Sequence, residues 1–179
     1  MCAMANGKSV DSTMGLTALD GLVMGTRCGS IDPGVPLYLM QTRGMTAGDI
    51  SDLLYKKSGL LGVSGISADM RALLASPEPE AAQAVELFAF AAARHVGALT
   101  ATLGGLDGLV FTAGIGEHAP AVRAAICGRL AWLGVALSPE ANAANEMFIN
   151  AESSRVEVCV IPTDEEAMIA RHTMETVHG

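Results

Sequence analysis

The sequence predicts an α/β fold, and three observations carry that expectation. Half of the 179 residues are hydrophobic but only 4% are aromatic, so the apolar material is Ala, Leu, Val, Ile and Met, punctuated by 20 glycines. That mixture suits short strands alternating with Ala-rich helices. Gly108 to Thr112 reads as a short buried strand that runs straight into a glycine turn and then a helix, and a strand from Val156 to Ile161 is likewise followed by Pro162-Thr163 and a helix. The length suits one domain with a sizeable core.

Cys2 to Ala5 and Lys8 to Ser12 flank Asn6-Gly7, the signature of a hairpin with a type I′ turn. A lone two-stranded start is marginal in water, so Met1 is expected to lie inside a longer sheet, with strands upstream. Residues 14–34 hold five glycines and a proline and read as a shaped loop. Helices are expected at 35–43 and 46–56, the second with Ile50, Leu53 and Leu54 at helical spacing. Leu60 to Ile66 reads as a loop, with Ser67 as N-cap of a helix over 68–75. Pro77-Glu78-Pro79-Glu80 opens a long Ala-rich helix ending near Gly104-Gly105, acidic at its positive end. Further helices are expected over 119–133, 138–147 and from Asp164 onward. Trp132 and the methionines are expected in the core.

The formal net charge of −8 and the absence of a basic stripe argue against a nucleic-acid partner. The four cysteines form no C-x-x-C and read as reduced thiols of a cytoplasmic protein. No basic, continuously apolar leader opens the sequence. The stretch from Leu87 to Leu103 is interrupted by Arg94 and His95, so no membrane span is expected.

Several residues could carry chemistry. Gly114 and Gly116, between a strand and a helix, would let an anion approach backbone N–H groups. The same residues fit equally well a glycine turn that packs a helix onto a sheet, because the spacing matches neither the dinucleotide fingerprint nor the phosphate-loop lysine motif. Arg27, in the glycine-rich loop, could grip a phosphoryl group or carboxylate; taken alone, a surface arginine pairing with Asp32 or Asp20 is the simpler reading. Asp69 and Arg71 read as an acidic first-turn residue and a solvated arginine. Asp164-Glu165-Glu166 could hold Mg²⁺, although helix-dipole complementarity accounts for an acidic first turn. His95, His172 and His178 read as structural or solvated, while His118, in the glycine loop, could edge a ligand.

The order of four stretches goes further than any one of them. Met14 to Leu22 with Met24-Gly25-Thr26-Arg27 and Asp32-Pro33-Gly34, then Gly62 to Arg71, then Val110 to Glu117, then Ile161 to Glu166, resemble the signature motifs of the acetate kinase family in register over essentially the whole chain. The resemblance implies a ribonuclease H-like, actin-like ATPase domain of the acetate and sugar kinase superfamily, with a mixed sheet flanked by helices. It implies transfer of the ATP γ-phosphoryl group to acetate, giving acetyl phosphate and ADP, with Mg²⁺ as cofactor. Arg27 would be catalytic. Asp69, Met70, Arg71, Gly114, Ile115, Gly116, Glu117 and His118 would line the nucleotide site, and Glu165 would help to hold the metal.

Cys28-Gly29-Ser30 departs from the family's Ser-Gly-Asp, which removes a carboxylate near Arg27, and His118 and Asp164 stand where Asn is common. The resemblance covers a carboxy-terminal nucleotide-binding domain, residues 1–179. The family's amino-terminal phosphate loop and acyl-site residues, and the His-Leu-Gly-Asn-Gly segment expected before Cys2, have no counterpart in it. The expectation is therefore a nucleotide-binding half with poor activity by itself. Propionate or butyrate kinase and a non-catalytic nucleotide-binding module completed in trans are the alternatives. A homodimer, or a separate amino-terminal half, is the implied partner.

Overall fold

The computed structural model describes residues 1–178, the side chain of His178 excepted. Strands β1 (Cys2–Ala5) and β2 (Lys8–Ser12) form an antiparallel hairpin. Asn6 and Gly7 both take positive φ, 51° and 74°, as a type I′ turn requires. After the long loop come α1 (Gly34–Arg43) and α2 (Ala47–Lys56). The second is opened by a capping box in which Thr46 and Asp49 satisfy each other's backbone N–H.

Helices α3 (Gly59–Ser64) and α4 (Met70–Ala75) precede α5 (Pro79–Leu103), which starts on a proline and stops at left-handed Gly104. Strand β3 (Gly108–Phe111) leads into α6 (Ala113–His118), α7 (Pro120–Arg129), a 3-10 turn (Ala131–Leu133) and α8 (Pro139–Ala143). Strand β4 (Glu157–Val160) then pairs parallel with β3, Gly108 opposite Glu157, and α9 (Glu165–His178) follows. The three helices of the crossover supply the length that a parallel pairing needs.

The core is built on α5. Ala81, Ala84, Ala89 and Ala92 let α3, α4 and α7 approach its axis closely, and Leu60, Leu73, Val122, Leu130, Ile149 and Val158 are almost wholly buried around it. The helix is long and apolar enough to cross a bilayer by length and composition. Here it is a core helix, packed on three helices and on the hairpin, which is compatible with a soluble protein.

Several expectations are corrected. Residues 59–64 are helical rather than a loop, because the N–H groups of Leu60 and Leu61 find the carbonyls of Met24 and Gly25 at 2.9 Å and so satisfy a helix start that the glycines alone would not favour. Asp69, not Ser67, caps α4: its Oδ1 accepts from Arg71 N–H at 2.9 Å, while Ser67 Oγ accepts from Asp69 N–H. The glycine turn at 113–118 is itself a helix, and the helix expected over 119–133 ends at Arg129. Helix α8 stops at Ala143, short of 147. Trp132 is 68% exposed, and only Met70 of the ten methionines is buried. The α/β class expected from the sequence holds, and among the described residues its strands form two pairs, one antiparallel and one parallel.

Candidate functional site

Arg27 stands on a loop that is clamped from below by the start of α3. Ser58 N–H donates to the Thr26 carbonyl at 3.0 Å, Leu60 N–H to Met24 and Leu61 N–H to Gly25 at 2.9 Å, and the Thr26 hydroxyl to the Tyr55 carbonyl at 2.8 Å. Gly59, at φ +63°, makes this possible: a Cβ there would overlap the Met24 carbonyl oxygen and lie 2.8 Å from that of Arg27. A Cβ on Gly25 would lie 2.8 Å from the Ala68 carbonyl, so the arginine loop also lies against the segment leading to Asp69.

The guanidinium of Arg27 donates through Nη1 to the Ala18 carbonyl at 3.3 Å and lies 5.9 Å from the Tyr55 ring centre. Neither carboxylate expected as its partner takes it. Asp20 accepts from the Ser30 hydroxyl at 2.6 Å and from Gly21 N–H at 2.7 Å, and Asp32 accepts from Gly34 N–H. The Ser30 hydrogen bond, with that of Gly21, holds the Asp20 carboxyl below its ordinary value. Among the described residues Arg27 has no ion pair, which leaves a positive charge on a preorganised loop for an incoming anion.

Asp69 and Arg71 do pair. Arg71 donates to both carboxylate oxygens, Nη2 to Oδ2 at 2.6 Å and Nε to Oδ1 at 3.1 Å, and this with the cap bond holds the Asp69 carboxyl down to about 2. Both side chains are solvent-exposed, so the pair is a positioned surface feature rather than a stabilising one. The side chain of Met70, between them, is buried in the core.

The turn after β3 is built with some strain. Ala113 begins α6 at φ +58°, a conformation that non-glycine residues rarely adopt. Gly114 is exposed, and a Cβ on it would meet nothing within 4 Å, so the backbone there is open to a close approach. Gly114, Ile115 and Gly116 line a cavity of about 540 Å³ that Leu22 of the arginine loop also lines. Glu117 and His118 line a second cavity, about 450 Å³, with Asn145, Met147 and Ile161.

Two contacts hold this turn, and one of them has no signal in the sequence. Arg123 of α7 is fully buried (0% exposed) and, among the described residues, meets no carboxylate. Its fork donates to the carbonyls of Gly116 and Glu117 at 2.9 Å, to Asn142 Oδ1 at 2.8 Å, and to the Asn142 carbonyl and Asn145 Oδ1 at 2.7 Å. Burial pushes the guanidinium down from its ordinary value, and five neutral oxygens replace the lost water. The side chain ties the end of α6 to α8.

The other contact joins the third motif to the fourth. Glu117 Oε1 accepts from Thr163 N–H at 3.0 Å and from the Thr163 hydroxyl at 3.1 Å. The backbone bond from Thr163 is the largest cause of a Glu117 carboxyl held below its ordinary value of 4.5. A lowered folded value means that the tie is complete above about pH 4.5 and is lost as pH falls through the lower folded value. Amide exchange is therefore expected to show Thr163 protected at neutral pH and losing protection below pH ~4.5, with Glu117→Gln flattening that dependence.

Glu165 lies exposed in the first turn of α9, next to Asp164, whose Oδ1 accepts from Ala167 N–H. Among the described residues no three His, Cys, Asp or Glu gather as a metal cage. An exposed carboxylate is a ligand type that suits Mg²⁺, which keeps its waters and takes the rest of its ligands from substrate. The structure thus brings Arg27 together with Gly59 and the approach to Asp69, and Gly114 to His118 together with Thr163, and Leu22 of the arginine loop lines the same cavity as the glycine turn.

The chain matches the family model described as "Acetokinase family" over residues 1–171. It is 58% identical to the acetate kinase of Rhodopseudomonas palustris over 181 aligned residues, covering 100% of this chain and 46% of that protein. Among solved structures it is similar to Porphyromonas gingivalis acetate kinase, at TM-score 0.91 and 40% identity over 98% of this chain and 46% of that one. A propionate kinase from Francisella tularensis is similar at TM-score 0.90 and 43% identity, over 95% and 44%. The chain spans about half the length of the relatives it matches.

Proposed function

This chain belongs to the acetokinase family, and we propose that it is the nucleotide-holding part of a cytoplasmic acetate kinase, carrying one wall of the phosphoryl-transfer site. The observation that supports this most directly is Arg27, a cation without a carboxylate partner among the described residues, held on a loop whose carbonyls are fixed by α3. In the reaction, a carboxylate oxygen of acetate attacks the γ-phosphorus in line and the bond to the bridging oxygen of ADP breaks, leaving its electron pair on ADP. There is little covalent work for the protein to do, so positioning and charge neutralisation are its contributions.

Arg27 would grip the transferring phosphoryl group and the acyl carboxylate. Gly114, Ile115 and Gly116 would let the nucleotide approach the backbone, with Glu117 and His118 at its edge. Asp69 and Arg71 would line the nucleotide from the other wall, and Met70 would contribute through its backbone. Glu165 would hold Mg²⁺, which supplies neutralisation of the phosphate charge when bound. A homodimer or a complementary polypeptide would provide the rest of the acyl site. A propionate or butyrate substrate is the second reading, supported by the similarity to a propionate kinase.

Calorimetric titration with Mg·ATP, followed by a hydroxamate assay for acyl phosphate with acetate, propionate and butyrate in turn, tests this reading. Saturable binding with negligible turnover by the chain alone is the expected result. Turnover without a partner would overturn the assignment of half the phosphate clamp to residues outside this chain.

A further inference from the structure

The backbone around Arg27 is tied to the end of α2. The last carbonyls of a helix have no partner within it, and here two of them take donors from either side of the arginine. Cys28 N–H donates to the Leu54 carbonyl at 3.1 Å, and the Thr26 hydroxyl to the Tyr55 carbonyl at 2.8 Å. These bonds set the Arg27 backbone beside Tyr55, and its guanidinium carbon lies over the tyrosine ring, 5.9 Å from the ring centre. Arg43 and Arg94 also lie over aromatic rings, those of Tyr38 and Phe90, but each shares a single helix with its ring. The Arg27 contact instead joins a loop to a helix.

A carboxylate and a ring orient a guanidinium in different ways. A carboxylate takes the N–H edge, often bidentately. A ring takes the flat face and leaves the edge free. Among the described residues the N–H groups of Arg27 meet one oxygen, the Ala18 carbonyl at 3.3 Å, and the Met24 sulfur at 4.0 Å. Most donors of the fork therefore stay open. Arg27 and Tyr55 are both half-buried, so their contact is partly shielded from water. We propose that Tyr55 is a positioning residue for phosphoryl transfer: its ring holds the Arg27 guanidinium by the face, so that the N–H edge meets the oxygens of the transferring group. This rests on the reading of Arg27 given under the proposed function, and adds to it a residue that lies in none of the four motif stretches.

The test is the Arg27 Nε–Hε resonance of the full chain, recorded alone and during titration with acetyl phosphate. The unaltered chain is compared with Tyr55→Phe, Tyr55→Leu and Tyr55→Met. A proton held over an aromatic face resonates upfield of one in a free arginine. The unaltered chain and Tyr55→Phe are expected to show that shift and to bind acetyl phosphate alike. Tyr55→Leu should lose the shift and bind about fivefold more weakly, the worth of a partly exposed contact between a cation and a ring. Tyr55→Met, which removes the ring but keeps a flexible apolar side chain, should repeat the leucine result. A tyrosine that only filled space would change stability without moving this resonance. An unshifted resonance in the unaltered chain, unchanged affinity in Tyr55→Leu, or an equal loss in Tyr55→Phe, which would place the effect in the hydroxyl, would each overturn the inference alone. A shifted resonance in a chain that binds no acetyl phosphate would overturn the phosphoryl role of Arg27, and this inference with it, so the two failures are told apart.

Discussion

Replacing Arg123 with methionine is expected to cost roughly 3–5 kcal/mol of stability, although the residue touches none of the positions named by the family motifs except through backbone carbonyls. Five acceptors lose their donor at once: the carbonyls of Gly116, Glu117 and Asn142, and the side-chain oxygens of Asn142 and Asn145. A methionine fills much of the volume and restores none of these bonds. Denaturant unfolding should show a lower midpoint, and a Tm drop of about 10 °C follows for a chain of this size. Arg123→Lys keeps the charge but not the planar fork, so it should recover only part of the loss. Full recovery by lysine would mean that the charge, and not the geometry, holds the turn.

Gly59→Ala is the second large effect expected. Two costs add there: a side chain at φ +63°, about 1–2 kcal/mol, and a Cβ driven into the carbonyls of Met24 and Arg27. The sum should reach about 3 kcal/mol or more. Gly65, at φ +65°, has nothing within 4 Å of its would-be Cβ, so Gly65→Ala isolates the backbone cost. Comparing the two by denaturant unfolding separates strain from collision. Gly59→Ala should also displace the Arg27 loop, because the bonds from Leu60 and Leu61 N–H to Met24 and Gly25 set its position. Equal losses for the two variants would show that the close contact beneath Arg27 is unimportant.

These two residues mark where sequence reading stopped. Turn and cap chemistry was legible: Asn6-Gly7 dictated the hairpin, Pro79 opened α5 and Gly104 closed it. Helix α3 was not legible, since Gly59, Gly62 and Gly65 read locally as a loop and its first N–H groups are satisfied by carbonyls more than thirty residues earlier in the chain. Arg123 was equally hidden. On a short helix it reads as a solvated cation, and the asparagines that receive it are 19 and 22 residues away, ordinary in their own segment. Trp132 failed in the other direction, because an aromatic residue in a 3-10 turn has no periodicity to place it inside. The Asp69–Arg71 pair, two residues apart, escaped a rule about helix faces because Asp69 is the cap and not part of the helix.

The central claim is that nucleotide binds against the turn that follows β3. Backbone amide chemical shifts of the full chain, recorded during titration with Mg·ADP, test it most directly. The expected result is saturable shifts concentrated in Gly114 to His118 and Asp69 to Arg71, with Arg123 Nε moving as the carbonyls it holds respond. Shifts confined to other surfaces, or no saturable change, would contradict the claim and leave the chain's kinship with the acetokinase family as a statement of ancestry rather than of site.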